Sequence, residues 1–240
     1  MFVHYRTQGI VLKKEDRFEA DQLFTVYTKD FGKLEILGKG IRKIKSKLRP
    51  SIDLFCLSEI EFIQGRTYKT LTDAILIDKF ENLRKDLKRL AIAFKISETA
   101  DGLITGQEPD GKIWDLLKKT LKKLNQSSFQ VFDWRLVYCY FFWNLVSFLG
   151  YKPQLYFCVF CQKRLIPEKI YFSLQEGGAI CQKCHKKFSK GREVSLDTIK
   201  ILRIFLEKEI STLSKLKFEL KSLKQLINLT KYYLTYLKRQ

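Results

Sequence analysis

Over the first eighty residues the apolar positions recur with a period of two, the spacing of a half-buried β-strand. Gly9-Ile10-Val11-Leu12 begins one strand, and Gln22-Leu23-Phe24-Thr25-Val26-Tyr27 makes a second, rich in β-branched and aromatic residues. Lys29-Asp30-Phe31-Gly32 is a turn signal ahead of Lys33-Leu34-Glu35-Ile36-Leu37, which alternates polar and apolar. The alternation returns from Leu57 to Ile63, Gly65-Arg66 turns the chain, and a last strand runs from Tyr68 to Ile77.

From residue 81 the period becomes helical, with Leu83, Leu87, Leu90, Ile92 and Phe94 leading to Leu103. Asp110 is placed to cap a helix that contains Ile113, Leu116, Leu117, Leu121 and Leu124. A third helix is expected from about Phe129 to Leu149, closed by Gly150 with Pro153 just beyond. The stretch from Leu136 to Tyr151 carries no charge. It is shorter than the roughly twenty residues a membrane span needs and includes Asn144 and Ser147, so it reads as a buried central helix. Ser195 should cap a helix from Leu196 to about Glu209, and a last helix fills roughly 222–238. These elements predict an α+β chain of two domains. Residues 1–80 form a five-stranded closed barrel, for which the OB-fold is the common architecture at this size, and residues 81–240 form a helical bundle.

Charge changes the picture next. The 240 residues hold 45 Lys and Arg against 26 Asp and Glu, a net charge of +19 and a pI of about 9.6. A compact chain that basic repels itself unless its partner is polyanionic, so nucleic acid comes first and an anionic membrane surface second. One segment concentrates the charge. Lys39, Arg42, Lys43, Lys45, Lys47 and Arg49 occupy residues 39–49 with no acid among them, entered through Gly38 and Gly40. A loop of this kind can run along a phosphate backbone and release counterions with each contact. Arg66 and Lys69 flank the last hairpin and extend the expected nucleic-acid surface. OB-folds add aromatic platforms to a positive groove. Phe24, Tyr27, Phe62 and Tyr68 are available for that role, but a small barrel needs several aromatics as core, and core is the preferred reading for them. Lys118, Lys119, Lys122 and Lys123 share one helix face and read as solvated.

Cys158, Cys161, Cys181 and Cys184 form two CxxC pairs separated by nineteen residues. Two-residue spacing lets both sulfurs of a pair enter one tetrahedral shell, and two such pairs close an all-thiolate zinc site, one ion per chain. With four protein ligands no position is left for a reactive water, so the zinc in segment 154–190 is expected to be structural. Two disulfides are the alternative. Against them, Met1 to Arg6 shows no export signal, and Cys56 and Cys139 lie alone in apolar sequence as reduced core thiols do. The compartment so implied is the cytoplasm. His185 follows Cys184 and is the one plausible substitute ligand, although a surface histidine is the simpler reading. Lys183, Lys186, Lys187, Lys190 and Arg192 surround the second pair and make a second basic patch. A zinc hydrolase or deaminase needs an open coordination position and a glutamate in an HxE context, and neither His4 nor His185 supplies one. No GxxxxGK[ST] loop is present either. A zinc-containing OB-fold factor for RNA or transcription remains compatible with composition.

The chain resembles the RecO family of bacterial recombination mediators. Thr7-Gln8-Gly9-Ile10-Val11-Leu12, Glu19-Ala20-Asp21, Phe31-Gly32-Lys33 and Gly38-Lys39-Gly40-Ile41-Arg42 are similar to that family's barrel in order and spacing. Phe148-Leu149-Gly150-Tyr151-Lys152-Pro153, Leu155, Cys158-Val159-Phe160-Cys161, Phe172-Ser173 and Glu176-Gly177-Gly178 resemble its central region. One departure is Gln162, where the first knuckle usually has glycine. The resemblance implies a non-enzymatic protein that binds single- and double-stranded DNA and anneals complementary strands. It further implies partnership with RecR, binding of the acidic tail of single-stranded-DNA-binding protein, and indirect help in loading RecA. It places the chain in the cytoplasm with the nucleoid, away from membranes.

Overall fold

Strand alternation sends Val11, Phe24, Val26, Leu34, Ile36, Ile60, Phe62, Leu71 and Ala74 to one side of five strands, where they form a closed core. In the computed structural model these strands are β1 (His4–Arg17), β2 (Asp21–Thr28), β3 (Gly32–Gly38), β4 (Leu57–Ile63) and β5 (Lys69–Asp78). They close a barrel in the order β1-β2-β3-β5-β4, with β3 and β5 its parallel pair. This is the OB-like barrel the alternation predicts. β1 changes partners along its length, pairing with β4 through His4–Ile10 and with β2 through Gly9–Arg17. A register shift between Val11 and Lys13 bends it between the two ladders. Gly9 sits at that changeover, where a Cβ would stand 2.5 Å from Val26 Cγ1. The structure describes every residue except 1, 2, 130, 132, 217, 218 and 240.

Two compact units divide the chain, residues 1–128 and 129–240. The strands end close to residue 80, but the first unit continues through α1 (Glu81–Lys85), α2 (Leu87–Leu103) and α3 (Gly111–Asn125). Asp86 and Asp110 cap α2 and α3, each accepting two backbone N–H groups of the first turn. Arg89 is buried and donates to the carbonyls of Leu124 and Gln126 at 2.9 and 3.1 Å, serving acceptors that the end of α3 leaves open.

The second unit is built round α4 (Arg135–Phe148), whose residues from Leu136 to Val146 are buried apart from half-buried Tyr138. Periodicity places the start of this helix near Phe129. It begins at Arg135, where the Asp133 carboxylate accepts the Arg135 N–H at 2.8 Å; positions 130 and 132 of that stretch lie outside the described residues. α6 (Leu196–Glu207) and α7 (Leu220–Leu237) pack on α4. Trp143 stacks on Tyr233 at 5.1 Å and donates to Thr230 Oγ1 at 3.0 Å. Asn144 is accommodated in this core because its amide donates to the Phe205 and Tyr140 carbonyls, both at 2.9 Å. Ser195 caps α6 by accepting the Thr198 N–H. The cysteine-bearing segment adds β6 (Ile170–Ser173), β7 (Gly178–Cys181), α5 (Gln182–Phe188) and β8 (Arg192–Val194), with sheet order β7-β6-β8. No helix among the described residues is long and apolar enough to cross a membrane.

Candidate nucleic-acid interface and metal centre

The cationic loop leaves β3 at Gly38 and is held by apolar anchors. Ile41 and Ile52 are buried in the barrel core, and Leu48 packs against it. Gly40 takes φ +62 and gives its N–H to Asp21 Oδ1 at 2.7 Å, while the Arg42 N–H reaches the Ala20 carbonyl at 2.9 Å. Alternating anchors fix the backbone and leave the cations between them outside. Lys39, Arg42, Lys43, Lys45, Lys47 and Arg49 are all exposed. Arg42 lies 3.4 Å from Asp16; among the described residues the other five form no ion pair. Lys69 pairs in register with Ile36 of β3, three residues before Lys39, or about 10 Å along the strand. It donates to Gln107 at 3.3 Å, whereas Arg66 is exposed in the turn before it.

A hollow of about 340 Å³ lies between the strands and this loop, lined by Lys14, Gln22, Arg42, Arg49, Ile52 and Asp53. Lys14 is a contributor that sequence reasoning did not single out. Its ammonium is 2.5 Å from Asp53, and Arg84 approaches the same carboxylate at 3.6 Å. Burial opposes ionisation of Asp53, but Lys14, the Leu54 N–H and Arg84 outweigh it and hold the carboxyl below its ordinary range. The barrel aromatics are core: Phe24, Tyr27 and Phe62 are buried, and the Tyr27 hydroxyl bonds to Asp110. Tyr68 is half-buried.

In the second unit the four cysteine sulfurs lie within 4.8 Å of one another, with Cys161 and Cys181 at 3.9 Å. All six cysteines are free thiols. A tetrahedral ion with Zn–S bonds of about 2.3 Å sets its sulfurs about 3.8 Å apart, so the cluster could hold a metal ion with little movement. Cys158 lies at the turn after Leu155, Cys181 ends β7, and Cys184 sits in the first turn of α5. The Cys158 carbonyl accepts the Gln162 N–H at 2.9 Å, closing the knuckle, with Gln162 at φ +57. Gln162 thus adopts the left-handed turn that glycine usually supplies there, and its side chain donates to the Val159 carbonyl at 3.1 Å. Burial works against a charged Cys158, but the N–H groups of Cys161, Cys181 and Phe160 prevail and bring the thiol down to about 6. Cys184 is pushed up to about 12 by burial and by its three neighbouring thiols. The neighbouring thiols thus differ in how readily they ionise, with backbone N–H groups favouring the Cys158 thiolate and burial opposing that of Cys184.

His185 stands outside the sulfur cluster. Its ring stacks on Tyr171 at 3.5 Å, and Nδ1 is 2.8 Å from the Lys190 carbonyl. In the basic patch round α5, Lys190 pairs with Glu176 and Arg192 lies over the Tyr232 ring. Lys183, Lys186 and Lys187 are exposed without ion pairs among the described residues.

Comparison with known proteins bears on both regions. Residues 1–80 match the family model for the recombination protein O N terminal, and residues 84–238 match that for the recombination protein O C terminal. The chain belongs to the RecO family. A DNA repair protein RecO of Dehalococcoides mccartyi is 32% identical over 222 residues, covering 92% of this chain and 86% of the relative. Another, from Desulforamulus reducens, is 30% identical over 232 residues, with 97% and 89% covered. One from a Thermoanaerobacter strain is 32% identical over 213 residues, with 88% and 84% covered. The two family models meet at the end of the RecO barrel strands, between residues 80 and 84, ahead of α2 and α3.

Proposed function

We propose that this chain is a DNA repair and recombination mediator that performs no covalent chemistry. It binds single- and double-stranded DNA, anneals complementary strands and, with RecR, helps load RecA onto strands coated by single-stranded-DNA-binding protein. The observation that carries this reading is the loop at 39–49, five of whose six exposed cations have no ion pair among the described residues, pinned by buried Ile41 and Ile52 to an OB-like barrel. Family membership supports the repair role. Lys39, Arg42, Lys43, Lys45, Lys47 and Arg49 contact phosphates, Arg66 and Lys69 extend the path, and Lys14 adds to it. Two strands approach against phosphate repulsion, and a chain of net charge +19 lowers that barrier by replacing condensed counterions.

Cys158, Cys161, Cys181 and Cys184 hold one structural zinc ion. That ion supplies a cross-link between the 158–161 turn and the β7–α5 corner, and the four thiolates saturate it. The acidic, apolar-tipped tail of the strand-coating protein needs a hydrophobic hollow with a cationic rim. A hollow of about 410 Å³ in the second unit supplies apolar walls from Pro153, Leu155, Tyr156, Phe157 and Leu206 and cations from Lys152 and Arg203; Gln154 and Glu207 also line it, and Glu207 accepts from the Tyr156 hydroxyl. The protein works in the cytoplasm, at the nucleoid.

The test is equilibrium binding of a single-stranded oligonucleotide across a salt series. Replacing Lys43, Lys45 and Lys47 together by Ala should weaken binding at low salt and reduce the slope of log K against log salt by about 2. An unchanged affinity and slope would remove the loop from the interface. Competition with RNA of the same sequence separates this reading from an RNA-binding or transcription-associated factor, which would retain its affinity for RNA.

A further inference from the structure

We propose that Phe18 is a stacking platform for an unpaired nucleobase, set at the edge of the cationic loop. This deepens the DNA-binding reading above and rests on it. At 85% relative exposure Phe18 is the most exposed aromatic side chain among the described residues. It belongs to the three-residue turn between β1 and β2, closed by the Arg17 and Asp21 pair. Its backbone is left-handed, φ +49, at a site where glycine or asparagine is the ordinary choice. A bulky ring there gains nothing from the fold. Phe18 contributes to no hydrophobic core and makes no ring contact among the described residues.

The turn and the loop form one frame. Asp21 takes the Gly40 N–H, Ala20 takes the Arg42 N–H, and the Arg42 guanidinium reaches Asp16. The acids near the ring are mostly engaged: Asp16 with Arg42 and Gln22, Glu15 with Lys13 and Arg17, and Asp21 with Gly40. Asp16 and Glu19 are both exposed there, and Glu19 has no ion pair among the described residues. Lys43 and Lys45 are exposed and have no ion pair among the described residues, and Ile44 between them is 96% exposed. Cations that gather phosphates beside an isolated, exposed aromatic ring on a tied-down turn suit a single strand, whose bases present open π-faces. A duplex keeps its bases stacked and offers phosphates and groove edges, with no open ring face along its length. A protein partner would call for a broader apolar surface than one ring and one isoleucine.

The experiment measures binding of a single-stranded oligonucleotide and a blunt duplex to the parent, Phe18→Ala, Phe18→Leu and Phe18→Trp. Phe18→Ala is expected to weaken single-strand binding about tenfold while duplex affinity and salt slope stay unchanged. Phe18→Trp should restore single-strand affinity, and its emission should be quenched as the strand binds. Unchanged binding by Phe18→Ala, an equal loss on duplex, or full rescue by Phe18→Leu would each overturn the stacking role. Circular dichroism checks the fold, and if Phe18→Ala misfolds, the contrast between Trp and Leu decides. Loss of binding in the Lys43, Lys45 and Lys47 variant with none in Phe18→Ala removes the platform and keeps the DNA reading. A parent that binds neither strand form removes both.

Discussion

Gln162 carries the clearest backbone cost at the metal centre, since it holds φ +57 beneath the first pair of cysteines. Its replacement by glycine loses one exposed side-chain hydrogen bond but relieves a conformation that disfavours L residues. The zinc-loaded Gln162→Gly variant should gain up to about 1 kcal/mol, read as a higher melting temperature. Asp53 gives a pH signature in the barrel. Its folded pKa lies below the unfolded value, so its stabilising pairing is complete above the ordinary carboxylate range and fades as pH falls through the folded value. Asp53→Asn should cost under about 1 kcal/mol at neutral pH, because the carboxylate is partly solvated. Denaturant melts of parent and variant should differ at neutral pH and converge only once the pH has fallen below the ordinary carboxylate range and through the lowered folded value. The four cysteines were legible from spacing alone. Lys14 and Asp53 were not: Lys13-Lys14-Glu15-Asp16-Arg17 is polar on both strand faces and hides the second half of β1, and Asp53 arrives from 39 residues away.

At the scale of elements, the metal segment has little hydrophobic core of its own. Cys158, Ile180 and Cys184 are its buried cluster, flanked by Val159, Phe160, Leu165 and Tyr171. So small a core needs a staple, which four thiolates round one ion would provide. Elemental analysis should find one zinc per chain. Chelation or Cys181→Ser should lower the melting transition by roughly 10 °C and loosen the packing round Trp143, followed by near-UV circular dichroism. A folded variant that keeps its melting temperature but loses DNA would give the knuckle a direct binding role. The barrel strands, the caps at Asp110 and Ser195 and the buried α4 were readable because each is long or carries a local signal. β6, β7 and β8 were not, since three or four residues leave no period to detect and their sheet is ordered by contacts around the cysteines.

For the whole molecule, two properties converge. One is a surplus of positive charge with a cationic loop fixed on the barrel, and the other is a second basic patch in a different compact unit. Under the proposed function each unit would offer a cationic surface to a strand, and annealing needs two strands engaged more than it needs tight binding to either. Charge and family were legible from sequence. The extent of the first unit to residue 128 was not, because α2 and α3 attach through tertiary packing, with Arg89 holding the end of α3 and Tyr27 bonding to Asp110. The measurement that tests this account most directly is the annealing of two complementary single strands without nucleotide, bare and coated with single-stranded-DNA-binding protein. The account predicts annealing well above the spontaneous rate that survives the coat and declines with salt. Binding to both strands without any acceleration of their pairing would contradict it.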